Sequence, residues 1–592
     1  MKIDIKNGSV ISENSIYLSS FTDIPSGKLM ILGADQVIHD LLKERIENSK
    51  DFSMDPENIS SLYKEIPAQY VIILFEKDLV KAVSDPYGII KLYYFRGVDK
   101  FYLVDSLSEI EDETLYLNKQ ALKYYFITGY TPSKHTYFEN VEKVEPFTIN
   151  IFSQYGDHES ENYPNFGADR LSVNSFLSNF QTALTKVLYF IKNNYKSSEV
   201  ALTGGIDSTF LLMLMNSNKM TDETELSAFK MGGLGQDKMI DNDYDLSFAA
   251  QLAEIFSKEL SIIDYDFKGD NVSKDFDLLR DALGCDYCPG MGYVGYCRSI
   301  DDNVAIINGQ NADSILSFGG MGWPKLKWLK PSGLHGLFTR YFQFYGEEHK
   351  DNLLGFIARL LRKIYFIKNF PSQEVVFNRK NYFKGLGLNP ENRSYFPSDP
   401  AYQNIEDPDD VANWFEAEYI DPVLSENKDL SDHALSIIIY NKTYMQGSAN
   451  RGSILSALMY KKPVFLPYTS LEILEMMTTL KPFWGYAFYG KYPNVRLGKK
   501  ELSIPKYILD RQDPNDADSS TLLFTALTKN KKFNNLISDV LNRSNFDRYE
   551  GILRKSFISQ IKDQSDSFQP SQLSTLMRFV WVESILQKHK LD

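Results

Sequence analysis

The length, composition and charge of the chain limit what kind of protein it is. Its 592 residues exceed what one hydrophobic core accommodates, and a composition of 43% hydrophobic and 14% aromatic residues predicts two or three globular domains. A net charge of −14 argues against binding along nucleic acid, since that affinity comes from a basic surface.

Three cysteines are too few for a disulfide framework, so the sequence favours a reducing, cytoplasmic compartment. They cluster as Cys285, Cys288 and Cys297, and the closer pair has the spacing that begins many zinc sites. Buried thiols that line an internal wall are the alternative. The N-terminus lacks the apolar run of a signal peptide, and no segment reaches the roughly 18 apolar residues of a membrane span. We therefore expect a soluble protein without a membrane span.

Residues 1–165 consist largely of short β-type runs separated by Gly, Asp, Asn and Pro. The pattern predicts an α+β, sheet-rich domain with few helices, of which residues 121–130 (ALKYYFITGY) are the clearest. The predicted strands lie within residues 9–20, 28–33, 69–76, 79–85, 91–97 and 100–106.

From residue 172 onward, amphipathic helices alternate with isolated apolar strands. This alternation predicts an open parallel sheet of the α/β type, covered by helices, with ligands at the carboxyl ends of its strands. The predicted strands are residues 198–203, 226–231, 259–266 and 303–309, and the predicted helices are residues 172–194, 208–218, 245–258 and 274–283.

Residues 321–440 are predicted to form a helical insertion. Within it, residues 323–384 carry 12 Lys or Arg and 4 Asp or Glu, together with many aromatic residues. One interpretation is a solvated helical face over an aromatic core. The other is a groove for an acidic or extended substrate.

The sequence VALTGGIDST at residues 200–209 has the features of a phosphate-binding loop. Gly204 and Gly205 let backbone N–H groups approach an anion, and the helix that follows offers its partial positive N-terminus. A carboxylate beside phosphates needs a cation, which makes Asp207 a candidate Mg²⁺ ligand. No Lys follows the glycines, so this is not the P-loop of kinases, and by itself a capped tight turn is the alternative. The hydroxyl donors nearby are Thr203, Ser208 and Thr209.

A second strand runs into a similar turn, NGQNADSIL at residues 308–316. If the two strands are neighbours, Asp313 lies near Asp207 at one edge of the sheet. Two carboxylates there would hold a Mg²⁺ ion on a triphosphate.

These segments resemble the asparagine synthetase and β-lactam synthetase superfamily. The similarity rests on TGGIDST, on SAFK at residues 227–230, on NGQNADSIL, and on residues 445–473, which end in KKPVFLPYTSLEI. It implies that residues 172–592 form an adenine-nucleotide α-hydrolase-like domain that binds ATP and Mg²⁺, with Asp207 and Asp313 as metal ligands. The implied ATP-binding residues are Leu202, Thr203, Gly204, Gly205, Asp207, Ser208, Thr209, Phe229, Lys230 and Gly309.

The first region resembles the class II glutamine amidotransferase domain that precedes these synthetases. The matching segments are residues 84–95, 105–110 and 128–147. Members that hydrolyse glutamine use an N-terminal cysteine, whereas here every cysteine lies at or after residue 285. The resemblance therefore implies a degenerate, structural domain over residues 1–165.

The chain departs from the family at two catalytic positions. Gln310 stands where the family has Glu or Tyr, and a Gln cannot act as a base near neutral pH, so a positioning role is expected. The family segment R-x-K corresponds to Arg511 followed by Gln and Asp513, so another cation has to replace its lysine. A basic surface loop is an equal alternative for each candidate. The candidate catalytic residues are Gln310, Lys491, Arg496, Lys499 and Arg511.

Together these features predict an ATP-dependent amide synthetase that forms an acyl-adenylate and transfers the acyl group to an amine. Without an ammonia-generating cysteine, the amine is expected to belong to the substrate, as in the lasso-peptide cyclase branch. A precursor peptide and its protease would then be partners. The alternatives are an ammonia-using amidotransferase, a β-lactam-type ligase for small molecules, and a non-catalytic nucleotide- or partner-binding scaffold.

Overall fold

The computed structural model describes most of the chain. The residues described are 1–592 except 13–14, 16, 25–26, 34, 50–51, 168–170, 233–242, 268, 289, 303, 317–378, 389–401, 431, 446–448, 481–490, 510–529, 564–569 and 592. The basic segment predicted within the helical insertion falls mostly outside these residues, so both interpretations of it stay predictions.

The first region forms two antiparallel sheets, as the short β-type runs predict. Tyr94 of one sheet packs on Phe152 of the other, with 4.8 Å between ring centroids, so the sheets face each other across an aromatic core. The five-stranded sheet has the order β10 (Val141–Lys143), β7 (Tyr93–Arg96), β8 (Phe101–Val104), β1 (Lys2–Asp4) and β2 (Ser9–Ser12). The six-stranded sheet has the order β12 (His158–Asn162), β11 (Thr148–Ser153), β6 (Leu79–Val83), β5 (Tyr70–Phe75), β4 (Gly27–Gly33) and β3 (Leu18–Ile24).

Two helices in this region were not predicted individually: α1 (Gln36–Glu47) and α2 (Pro56–Glu65). Asp35 and Asp55 cap them by accepting backbone N–H bonds of the first turn. The capping aspartates and the spacing of buried apolar residues along α1 are both visible in the sequence. The predicted helix at residues 121–130 is present as α3 (Lys119–Thr128).

The second region contains the predicted parallel sheet. Its five strands are all parallel and have the order β15 (Leu260–Asp266), β14 (Thr224–Gly232), β13 (Ser197–Ala201), β16 (Val304–Asn308) and β17 (Val464–Phe465). Helix α4 (Val173–Asn194) precedes the first of these strands. The helices that follow it between the strands include α5 (Ile206–Ser217), α6 (Asp243–Ile255), α7 (Val272–Leu283), α8 (Met291–Ser299) and α9 (Ala312–Leu316).

The remaining described residues are mostly helical. The helices are α10 (Arg379–Leu388), α11 (Pro408–Phe415), α12 (Asp421–Glu426), α13 (Asp432–Tyr440), α14 (Ala449–Met459), α15 (Leu471–Thr479), α16 (Tyr492–Lys500), α17 (Lys506–Leu509), α18 (Lys531–Arg543), α19 (Lys555–Lys562) and α20 (Pro570–Leu586). In the part of the chain that the structure covers, none of the helices is both long and apolar enough to cross a membrane.

A buried ionic network joins the two regions. Asp286, which follows α7, lies 3.3 Å from the ammonium of Lys91 and 3.4 Å from that of Lys143. The three side chains are at most 1% exposed, and the backbone N–H of Thr131 also donates to Asp286. Charges so fully removed from water are tolerated only when paired, so this network fixes one relative arrangement of the regions.

The C-terminal helix α20 covers the same junction. The indole of Trp581 donates to the backbone oxygen of Gly284 at 2.9 Å, and the guanidinium of Arg578 donates to those of Phe126 and Ile127 at the end of α3. A short strand, β18 (Lys590–Leu591), then pairs in parallel with β9 (Thr114–Leu115) of the first region.

The network predicts a large effect of Asp286→Ala on stability. Removing the carboxylate leaves two buried ammonium groups, and loss of one partner from such a pair costs about 3–5 kcal/mol. The midpoint of urea-induced unfolding is expected to fall accordingly.

Glu550→Ala provides the matched control, because Glu550 pairs with Lys555 on the surface, where both side chains are more than 70% exposed. Its effect is expected to stay within about 1 kcal/mol. Equal midpoints for the two variants would show that the buried network does not hold the regions together.

Candidate functional site

The predicted phosphate loop leaves the sheet at the carboxyl end of β13. The Leu202 N–H still donates to Ser227 of β14, at 2.7 Å, and the chain then turns into α5. Gly204 has φ +63°, and a Cβ there would overlap the side chain of Phe248, so glycine is required at this position. Gly205 precedes α5, and no side chain caps its first turn. The start of this helix therefore has the features of an anion-binding helix N-terminus.

The three predicted hydroxyl donors differ in their surroundings. Thr203 is exposed, and its hydroxyl accepts the Gly205 N–H at 3.3 Å. Ser208 and Thr209 are buried, and both hydroxyls donate to the backbone oxygen of Gly205. Thr203 is thus the hydroxyl of this set that faces solvent.

The second loop lies directly against the first. β13 and β16 pair in register, with Ala201 opposite Asn308, which meets the condition on which the sequence argument depends. A Cβ on Gly309 would lie 2.8 Å from the Ser208 nitrogen and 3.1 Å from the Asp207 carbonyl carbon. The two loops therefore form one edge, at which only glycine fits. Asp313 is the second residue of α9, and its side chain lies outside the described residues.

Asp207 is held by helix α16. The Lys491 ammonium lies 2.5 Å from Asp207 Oδ2, and Asn494 Nδ2 donates to Oδ1 at 2.8 Å. The Tyr468 hydroxyl donates to the Asp207 backbone oxygen at 3.1 Å and accepts from Asn494 at 3.0 Å. Lys491 was predictable from the sequence, whereas Asn494 and Tyr468 were not, because they reach Asp207 through a contact between distant segments.

The described residues do not by themselves build a metal site. Asp207 offers a carboxylate, the ligand type that Mg²⁺ prefers, but a cationic side chain already lies on one oxygen and an amide donor on the other. The pairing of Asp207 with Asp313 around Mg²⁺ stays a prediction, and no step below depends on it.

Gln310 contacts a residue that the sequence did not point to. Its Nε2 donates to the hydroxyl of Tyr293 at 2.6 Å, and its backbone N–H donates to Asn308 Oδ1 at 2.9 Å. Tyr293 lies on α8, and burial raises the pKa of its phenol to about 12, an effect that the Gln310 hydrogen bond opposes. The phenol therefore keeps its proton near neutral pH.

The other predicted residues have the following surroundings. Phe229 of β14 packs against α8, where a Cβ on Gly292 would overlap its ring. Lys230, next on β14, stands opposite Asp264 of β15. Arg496 and Lys499 are exposed on the same helix that presents Asn494. Arg511 and Asp513 lie outside the described residues.

The cysteines fit the interpretation as buried wall residues. Cys285, Cys288 and Cys297 are buried, and none of the three is part of a disulfide. Burial raises the thiol pKa of Cys285 and of Cys297 to about 12, so neither is a ready thiolate ligand. No group of three or more His, Cys, Asp or Glu side chains within the described ranges is arranged to hold a metal ion.

The chain has only weak sequence similarity to known proteins. No family model matches the chain. The glutamine-hydrolysing asparagine synthetase 1 of Bacillus subtilis (strain 168) is 24% identical over 187 residues, which cover 29% of the chain and 29% of that protein. The chain thus matches less than a third of the length of this curated relative.

Two solved structures share only distant similarity. The B. subtilis glutamine phosphoribosylpyrophosphate amidotransferase, complexed with ADP and GMP, is 11% identical with a TM-score of 0.15, over 49% of the chain and 63% of that structure. A structure described as the allosteric regulatory enzyme of purine biosynthesis is 12% identical with a TM-score of 0.16, over 50% of the chain and 76% of that structure. At such TM-scores neither defines the fold. The sequence match supports an asparagine synthetase-like relationship in coarse form, and nothing in it concerns the lasso-peptide cyclase branch.

The close approach of the two loops predicts that Gly309→Ala weakens ATP binding. An added Cβ would push the second loop off the Asp207–Ser208 peptide, and we expect the Kd for ATP to rise about tenfold or more, equivalent to ~1.4 kcal/mol. Isothermal titration calorimetry measures this directly. Gly97→Ala, in a surface hairpin where the nearest atom would be 3.1 Å away, is the control. Equal ATP affinity in Gly309→Ala and the wild type would mean that the loops do not form one nucleotide site.

Proposed function

We propose that the chain is an ATP-dependent ligase that forms amide bonds, with release of AMP and pyrophosphate. The observation that carries this proposal is the contact between Gly309 and Ser208, which joins two strand-end loops into one edge of a parallel sheet. An uncapped helix N-terminus and a lysine ammonium lie at that edge. The weak similarity to an asparagine synthetase supports the same class of reaction.

The residues at this edge suit the handling of phosphates. Backbone N–H groups at the start of α5 would bind phosphate oxygens, and glycine at position 204 lets the loop turn tightly against Phe248. Lys491 would supply positive charge as the pyrophosphate leaves, with Asp207 as its partner in the nucleotide-free protein. Alignment of the reacting groups and neutralisation of charge would provide most of the rate enhancement.

The reaction would proceed in two steps. A carboxylate oxygen of the substrate attacks the α-phosphorus of ATP, and the bond from phosphorus to the pyrophosphate oxygen breaks. An amine then attacks the acyl carbon of the adenylate, AMP leaves, and the nitrogen loses a proton. ATP is the proposed cofactor, and Mg²⁺ is the metal that the sequence predicts.

The amine is proposed to belong to the substrate itself. The sequence of the amidotransferase-like region provides no thiol with which to release ammonia from glutamine. A peptide whose N-terminal amine joins an internal Asp or Glu side chain, as in lasso-peptide cyclisation, meets this requirement. A precursor peptide and its protease are then the proposed partners.

The proposed function predicts which nucleotide product is released. Purified protein with ATP, Mg²⁺ and a peptide bearing a free N-terminus and an internal Asp is expected to release AMP and pyrophosphate, measured by chromatography and a coupled pyrophosphate assay. Parallel reactions test the alternatives. AMP release with aspartate plus ammonium would indicate an ammonia-using amidotransferase, and AMP release with small β-amino acids would indicate a β-lactam-type ligase. Release of ADP instead, or no turnover with any of them, would contradict the proposal and, in the second case, favour a non-catalytic scaffold.

A second prediction concerns the proposed cation. Lys491→Met is expected to lower the rate of ATP–pyrophosphate exchange by about 10²-fold, because a positioned charge acts on the developing pyrophosphate. Lys500→Met removes an exposed lysine from the end of α16, the helix that Lys491 precedes, and is expected to leave the rate unchanged. Equal rates for the two variants would remove Lys491 from the mechanism.

A further inference from the structure

The contact between Gln310 and Tyr293 determines where the phenolic proton of Tyr293 points. Because Gln310 Nε2 donates to the Tyr293 oxygen, at 2.6 Å, the single phenolic proton of Tyr293 is directed away from Gln310. A tyrosine in this arrangement is a hydrogen-bond donor toward whatever occupies the space beside it.

The ring of Tyr293 is held in place by its neighbours. A Cβ on Gly290 would lie 2.8 Å from the ring and 2.9 Å from the Cys288 sulfur, and a Cβ on Gly452 would lie 2.5 Å from the same sulfur. Two glycines therefore let α8 and α14 close around Cys288 and the phenol. The packing restricts the ring, so the direction of its hydroxyl is set before a ligand arrives.

The position of the phenol relates it to the phosphate loop. Gln310 follows Gly309, which lies against the Ser208 nitrogen. One glutamine side chain thus separates the Tyr293 hydroxyl from the edge at which the phosphates are proposed to bind. Phe229 of β14 packs on the same helix at Gly292.

We propose that Tyr293 is the hydrogen-bond donor of the acyl half of the site, and that Gln310 is the positioning residue that directs its proton. This inference rests on the proposed function and extends it to a residue that the sequence did not indicate. It also gives Gln310 a role that does not require it to act as a base.

The step is one of charge stabilisation. As the amine nitrogen bonds to the acyl carbon, the carbonyl oxygen gains negative charge and accepts a hydrogen bond from Tyr293. The carbon–oxygen bond to AMP then breaks, the carbonyl re-forms, and the ammonium proton passes to solvent. Tyr293 keeps its own proton throughout.

Two substitutions test this assignment, one at the proposed donor and one at the residue that directs its proton. Tyr293→Phe removes the donor and keeps the ring. Gln310→Glu keeps the size of the side chain, but an ionised carboxylate only accepts hydrogen bonds and would turn the phenolic proton toward itself. Both variants are expected to keep ATP–pyrophosphate exchange within about threefold of wild type and to form amide about 10²-fold more slowly.

Tyr296→Phe is the matched control on the same helix. Its hydroxyl contacts Ser227 and Glu199, away from Gln310, so amide formation is expected to be unchanged. Amide formation in Gln310→Glu at or above the wild-type rate would assign a base to position 310 and overturn the proposal. Equal losses in Tyr296→Phe and Tyr293→Phe would also overturn it, because they would indicate a structural role.

A binding measurement separates this inference from the proposed function. The probe is β-aspartyl-sulfamoyladenosine, a stable acyl-adenylate mimic, compared with sulfamoyladenosine, which lacks the acyl carbonyl. Wild type is expected to bind the acylated probe more tightly, and Tyr293→Phe to lose about tenfold in affinity for that probe alone. If wild type binds the acylated probe and Tyr293→Phe binds both probes as wild type does, the inference is wrong and the proposed function stands. If wild type binds neither probe, both are wrong.

Discussion

The candidate site depends on the parallel pairing of two strands, β13 and β16. Their register places Ala201 opposite Asn308, so both chains leave the sheet at the same level. The loops that follow are then close enough for Gly309 to lie on the Asp207–Ser208 peptide. The other parts of the site contact this edge. Helix α16 contacts it where Asn494 donates to Asp207, and α8 contacts it where Tyr293 accepts from Gln310. A shift of one residue between the strands would separate all of these groups.

The segment between α7 and β16 connects the junction of the two regions with the candidate site. It begins beside Asp286, whose carboxylate balances lysines of the first region, and continues through Cys288 into the helix that carries Tyr293. The three cysteines, all on this segment, act as small apolar side chains that allow close packing. The first region thereby contributes to the candidate site through the support of α8.

The sequence predicted the elements of the site better than their partners. The strands of the parallel sheet and both glycine turns were predictable, since each depends on a local pattern of apolar residues and glycine. The contact of Lys491 with Asp207 joins residues 284 positions apart, and no local pattern encodes it. Tyr293 was missed for a related reason: its contact with Gln310 joins α8 to the loop after β16, whereas its own sequence, rich in glycine and aromatic residues, suggests no function. Helices α1 and α2 were missed although their capping aspartates were visible.

The cover that α20 places over the junction has a consequence for biosynthesis. The face of α3 that receives Arg578, and the turn at Gly284 that receives Trp581, are completed by residues synthesised hundreds of positions later. Until then the nascent chain exposes an aromatic surface that includes Tyr125 and Tyr287, both buried in the finished protein. Transiently exposed apolar surface of this kind promotes aggregation. Residues 570–586 are synthesised well after this surface, so α20 can cover it only once they have been made.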